Sequence, residues 1–127
     1  MKFETVSMAE IAFGKWFRKE TGVQLMPADD WKNPRSGVIY EIKDIQYPSS
    51  HFTDRIRLNK ESMERHGMMG GKVVIVLCFS DGIRMFAPVQ TVLASATMDK
   101  ANTFGDRLTY FVPLSVFSKV EKAQDLI

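Results

Sequence analysis

A chain of 127 residues with 45% hydrophobic and 25% charged side chains has the length and balance of one folded domain, residues 1–127. A net charge of +2 does not define a polyanion partner by itself, and the one cysteine, Cys78, excludes an intramolecular disulfide and a cysteine-based zinc site. No apolar run approaches the roughly 18 residues of a membrane span, and Met1-Lys2-Phe3-Glu4-Thr5 lacks a signal-peptide core, so a cytoplasmic protein is expected.

Ser7 followed by Glu10 is a capping box and predicts a helix to about residue 20, stopped by Gly22. Its apolar stripe is Ala9, Ala12, Phe13, Trp16 and Phe17. A short strand is expected over residues 23–26. Residues 38–45 follow Gly37 and are rich in β-branched and aromatic side chains, so they predict a second strand. Tyr47-Pro48-Ser49-Ser50 opens a loop, and residues 52–58 can be extended.

Asn59 is the N-cap of a helix over residues 60–68 that ends at Gly70-Gly71. Met63 is its inward residue, and His66 falls where the helix dipole stabilises a cation. The apolar run 73–79 predicts a central strand, and Asp81-Gly82 a hairpin returning over 83–87. A short helix over 91–96, a polar loop over 98–106 and a strand over 108–112 follow. A last helix is expected from Leu114 or Ser115 to about Ala123, with Val116, Phe117 and Val120 inward. The fold class is α/β, one small domain with a central mixed sheet flanked by helices.

Chemistry concentrates in the strand 38–45. Alternation puts Ile39, Glu41, Lys43 and Ile45 on one face and Val38, Tyr40 and Ile42 on the other. Glu41 and Lys43 therefore point the same way, about 6–7 Å apart along the chain. If Asp30 approaches from the neighbouring segment, two carboxylates and an ammonium converge. Two carboxylates suit Mg²⁺, which lowers the pKa of a bound water, and a lysine beside them stabilises charge growing on phosphate. The bland reading is a solvent-facing Glu41–Lys43 pair worth well under 1 kcal/mol.

Asp30 followed by Glu41-Ile42-Lys43 resembles the PD-(D/E)XK, or restriction-endonuclease-like, nuclease superfamily. The basic segment Arg55-Ile56-Arg57-Leu58-Asn59-Lys60, the helix closed by glycines and the apolar strand after it are similar to small Holliday-junction resolvases; the likeness covers roughly residues 7–90. The resemblance implies a restriction-endonuclease-like sheet and a Mg²⁺-dependent endonuclease, with Mn²⁺ as a substitute, acting on branched or duplex DNA as a homodimer in a bacterial, archaeal or phage-infected cell. Asp30 and Glu41 would bind metal with the Ile42 carbonyl, and Lys43 would assist the attacking water. Glu10 would support the metal, unless the capping box accounts for it; Asp29 is an alternative to Asp30.

Arg55, Arg57, Lys60 and His51 would meet phosphates, although a solvated basic face is the default. Phe104, Phe111 and Phe117, near the last strand and helix, mark the expected dimer surface. The alternative is an inactive nuclease-like fold that binds DNA or protein, and the choice of DNA over RNA stays open.

Overall fold

The computed structural model describes residues 7–27, 30–69, 72–98 and 109–127. The first helix, α1, spans Met8–Thr21, capped by Ser7 and ended by Gly22 at φ +75°. Two-residue strands β1 (Met26–Pro27) and β2 (Trp31–Lys32) lead to β3 (Ile39–Asp44). Strand β4 (Arg55–Asn59) runs directly into helix α2 (Lys60–Gly67), whose N-cap is Asn59, its Oδ1 accepting from the Ser62 amide at 2.8 Å.

Then come β5 (Val73–Cys78), β6 (Arg84–Pro88), helix α3 (Val89–Ser95), β7 (Thr97–Met98) and β8 (Thr109–Pro113). The chain closes with a three-ten turn at Leu114–Val116, β9 (Ser118–Lys119) and a second turn at Ala123–Leu126. The expected last helix is therefore absent. Phe117 instead ends the first turn in an extended conformation, and Ser118 and Lys119 pair with Phe86 and Met85. Valine and phenylalanine favour that pleated setting over a helix.

Among the described residues, nine strands form two sheets: a mixed sheet ordered β1-β2-β3-β5-β6-β9 and a small one ordered β4-β8-β7. This is the expected α/β class. Strands β3 and β5 are parallel, with Glu41 opposite Ile75 and Lys43 opposite Leu77. A parallel pair needs a crossover, which here carries β4 and α2 over one face of the sheet while α1 covers the other.

On the α1 face, Tyr40 and Ile42 pack with Phe13 and Phe17. The Tyr40 ring lies 5.8 Å from Phe13 and 5.5 Å from Phe17, and its hydroxyl donates to the Leu126 carbonyl at 2.7 Å. Each such buried aromatic contributes about 2–3 kcal/mol. On the α2 face, Met63 packs with Ile75 and Leu77, along with Ile56, Leu58 and Val112 of the small sheet. Because Glu41 and Lys43 share rows with Ile75 and Leu77, α2 stands directly over them.

Candidate metal centre

Hairpin geometry fixes Asp30. Trp31 pairs with Tyr40 and Lys32 with Ile39, so one further step of that antiparallel register sets Asp30 opposite Glu41. Residues so opposed have Cβ atoms about 5 Å apart on one face. The turn is held by buried Asn33, whose Oδ1 accepts from the Arg35 and Ser36 amides at 2.9 and 3.3 Å, and by Gly37 at φ +78°. A left-handed residue there is what glycine supplies.

Helix α2 supplies the third group. His66 is 1% exposed and points its Nε2 between the carboxylates, 2.5 Å from Asp30 Oδ2 and 3.0 Å from Glu41 Oε2. Its Nδ1 lies 2.6 Å from the Ser62 carbonyl. A carbonyl only accepts, so Nδ1 carries a proton and Nε2 is the atom whose protonation can vary. Lys43 Nζ lies 3.0 Å from Glu41 Oε1 and donates to Ser62 Oγ at 3.0 Å. Ser62 and His66, one helical turn apart, thus tie α2 to both ends of the Glu41–Lys43 pair.

The electrostatics are those of two crowded carboxylates around one cation. Burial raises the Asp30 carboxyl pKa, and the neighbouring Glu41 adds to the rise against the pull of His66. Burial also works against charge on Glu41, but hydrogen bonds to His66 and Asp30 and the charge of Lys43 hold its carboxyl well below the usual range. Burial disfavours charge on His66 as well; the hydrogen bonds to Asp30 and Glu41 outweigh it and push the imidazole up to about 10. Glu41 is the committed anion of the pair, and Asp30 takes a proton first.

A ligand atom from each of Asp30, Glu41 and His66 lies within 4.8 Å of the others. Two carboxylates and an imidazole form a donor set that fits a divalent ion. Lys43, 20% exposed, stands beside this set rather than in it.

Other expected site residues lie elsewhere. Glu10 does not reach the cluster. Its Oε1 accepts from the Ser7 amide at 3.3 Å and its Oε2 from Trp31 Nε1 at 2.7 Å. Trp31 shares the α1 face with Tyr40, so Glu10 is on the opposite side of the sheet from Glu41. The capping box is its role. Ile42 has its side chain in the α1 core, with its backbone opposite Val76. Asp29 lies outside the described residues.

Arg55 and Arg57 point outward from β4, their guanidinium carbons 4.1 and 5.1 Å from the Phe111 ring centroid. Lys60 pairs with Glu64. His51 stacks on Tyr47, with centroids 4.2 Å apart. The expected dimer surface is not built as anticipated: Phe117 is buried, Phe111 lies under the two arginines, and Phe104 is outside the described residues.

His66 is the group that sequence reasoning missed. The helix dipole was sufficient reason for a cation there, yet the helical period places His66 three residues after inward Met63, and that spacing signals burial.

No family model matches the chain, and no curated protein matches it. Among the described residues, no helix is long and apolar enough to cross a membrane.

Proposed function

We propose that the protein is a metal-dependent endodeoxyribonuclease that hydrolyses phosphodiester bonds, with branched DNA as the preferred substrate. The observation that carries the reading is the meeting of Asp30, Glu41 and Lys43 on one face of the β2–β3 hairpin. The order and strand setting of these residues resemble the PD-(D/E)XK arrangement, in which the carboxylates hold Mg²⁺ or Mn²⁺.

The bound ion would polarise a phosphoryl oxygen and lower the pKa of its water. Glu41 and Asp30, both largely shielded from solvent, would hold that charge where water screens it less. Glu41 and Ser62 Oγ hold the Lys43 ammonium by two of its three N–H donors. The third can turn to the scissile phosphate and stabilise the developing negative charge. Arg55 and Arg57, on the strand that feeds α2, would hold phosphates along the duplex.

A second reading draws support from His66. A protonated imidazole between the two carboxylates, together with the Lys43 ammonium beside Glu41, balances their charge without a metal, which suits a nuclease-like domain that binds DNA without cutting. Four-way, flapped, linear duplex and single-stranded DNA, each with and without Mg²⁺ or Mn²⁺, test the choice. Cleavage confined to the metal-containing reactions supports the enzyme, and binding without cleavage in all of them supports the second reading.

A further inference from the structure

The set of donors carries a statement about which ion the site takes. We infer that it selects a divalent transition ion, Mn²⁺ or a heavier neighbour in the series, over Mg²⁺, and that the Nε2 of His66 is the ligand that makes the difference. The inference rests on the metal-site reading above and deepens it.

Mg²⁺ is a hard ion that keeps its waters and prefers oxygen, so an imidazole adds little to its binding. Mn²⁺, Co²⁺ and Zn²⁺ gain from a nitrogen ligand, in increasing measure along the series up to copper. Here the nitrogen is built in rather than incidental. Its helix is fixed to β3 through Lys43 and Ser62, and His66 is 1% exposed, so the ring cannot swing into solvent.

The spacing also suits a shared ion. With metal–ligand bonds of about 2.1 Å, adjacent ligand atoms around an octahedral ion lie about 3 Å apart. Nε2 stands 2.5 Å from Asp30 Oδ2 and 3.0 Å from Glu41 Oε2. Small side-chain rotations therefore admit an ion between them.

The other ring nitrogen completes the pattern. Metal-ligating histidines donate their distal N–H to a carbonyl or carboxylate, which fixes the tautomer with the second nitrogen bare towards the metal. Nδ1 of His66 donates to the Ser62 carbonyl at 2.6 Å, a backbone acceptor that no substitution removes. With an ion bound in place of the Nε2 proton, which would pass to solvent, the two carboxylates would balance its charge and the Lys43 ammonium is left over for an anionic substrate. Beyond the end of β3, in a short turn over Ser49–His51, His51 is held apart in its stack on Tyr47 and offers no such geometry.

The test is calorimetric titration of the metal-free protein with MnCl₂ and with MgCl₂ near neutral pH, without DNA, in wild type and His66→Gln. Wild type should bind Mn²⁺ about tenfold or more tighter than Mg²⁺, and His66→Gln should lose most of that preference. Since His66→Gln removes a buried cation and can fail to fold, electron spin-echo spectroscopy of the wild-type Mn²⁺ complex supplies a second readout. Nitrogen coupling from a bound imidazole should be present and should persist in His51→Ala. Equal affinities for the two ions, or no nitrogen coupling, overturn the inference and leave a Mg²⁺ nuclease standing. Binding of neither ion overturns this inference and the metal-dependent reading together. A nitrogen-coupled Mn²⁺ complex that cuts none of the DNA substrates supports the inference and sinks the nuclease alone.

Discussion

The Nε2 of His66 lies 3.0 Å from Oε2 of Glu41, joining helix α2 to the central strand through a charge pair with almost no solvent contact. Around that contact the molecule's stability and its proposed chemistry depend on the same atoms. Removing His66 leaves Asp30 and Glu41 facing each other with no cation between them, and only Lys43, 3.0 Å from the other oxygen of Glu41, to offset their charge. We expect His66→Gln to lower the unfolding free energy by about 3–5 kcal/mol in metal-free buffer. Adding Asp30→Asn should recover part of the loss by removing the repulsion. Urea unfolding measures both, and a His66→Gln loss below about 1 kcal/mol contradicts the role assigned here.

The same pair sets a pH dependence. The His66 imidazole is raised to about 10 when folded from about 6.5 when unfolded. Its contribution is therefore complete below about pH 6.5 and is lost as pH rises through 10. Glu41, depressed by its partners, contributes above the ordinary carboxylate range and loses that contribution in strong acid. The melting temperature of metal-free protein should fall by several degrees, on the order of 5 °C or more, between pH 7 and pH 10. A flat profile across that window contradicts the charge assignment.

Glu10 offers a contrast. Its carboxylate caps α1 and accepts from Trp31 on the far side of the sheet. Glu10→Ala should cost about 1 kcal/mol of stability and leave the stabilisation by Mn²⁺ unchanged. Thermal melts of both proteins, with and without Mn²⁺, check this; a lost metal response would place Glu10 in the site after all.

Arg55 and Arg57 project from the outer face of β4 beside Phe111. If they hold phosphates, the double Arg55→Ala, Arg57→Ala variant should bind DNA more weakly, and its slope of log affinity against log salt should be shallower by about 2. Fluorescence anisotropy with labelled DNA in EDTA isolates this from cleavage. An unchanged slope removes these residues from the DNA surface.

The core of the site was legible because strand alternation is a strict rule. Glu41 and Lys43 had to share a face once Val38, Tyr40 and Ile42 claimed the other, and the structure places them so. Asn59 and the Ser7–Glu10 box announced both capped helices. The approach of Asp30 was harder to read, because β2 has two residues and shows no periodicity. Asn33 and Gly37, which fold the turn, were the available clue to the register.

The helix dipole accounts locally for a cation at His66, whereas the burial of that side chain depends on where β3 and β5 lie, which no local pattern carries. The last helix failed for a similar reason. Val116, Phe117 and Val120 fit a helical stripe on paper, but Lys119 and Ser118 gain strand partners in β6 that sequence spacing cannot show. Phe117, expected at a dimer surface, packs inward with Val89 and Val112 instead.

The most direct measurement of the central claim is single-turnover cleavage of a four-way DNA junction by wild type, Glu41→Gln and Lys43→Ala, with circular dichroism confirming that all three are folded. Wild type should cut only when Mg²⁺ or Mn²⁺ is present, and each variant should be slower by about 100-fold or more. Folded variants that cut as fast as wild type, or wild-type cutting that persists in EDTA, would contradict it.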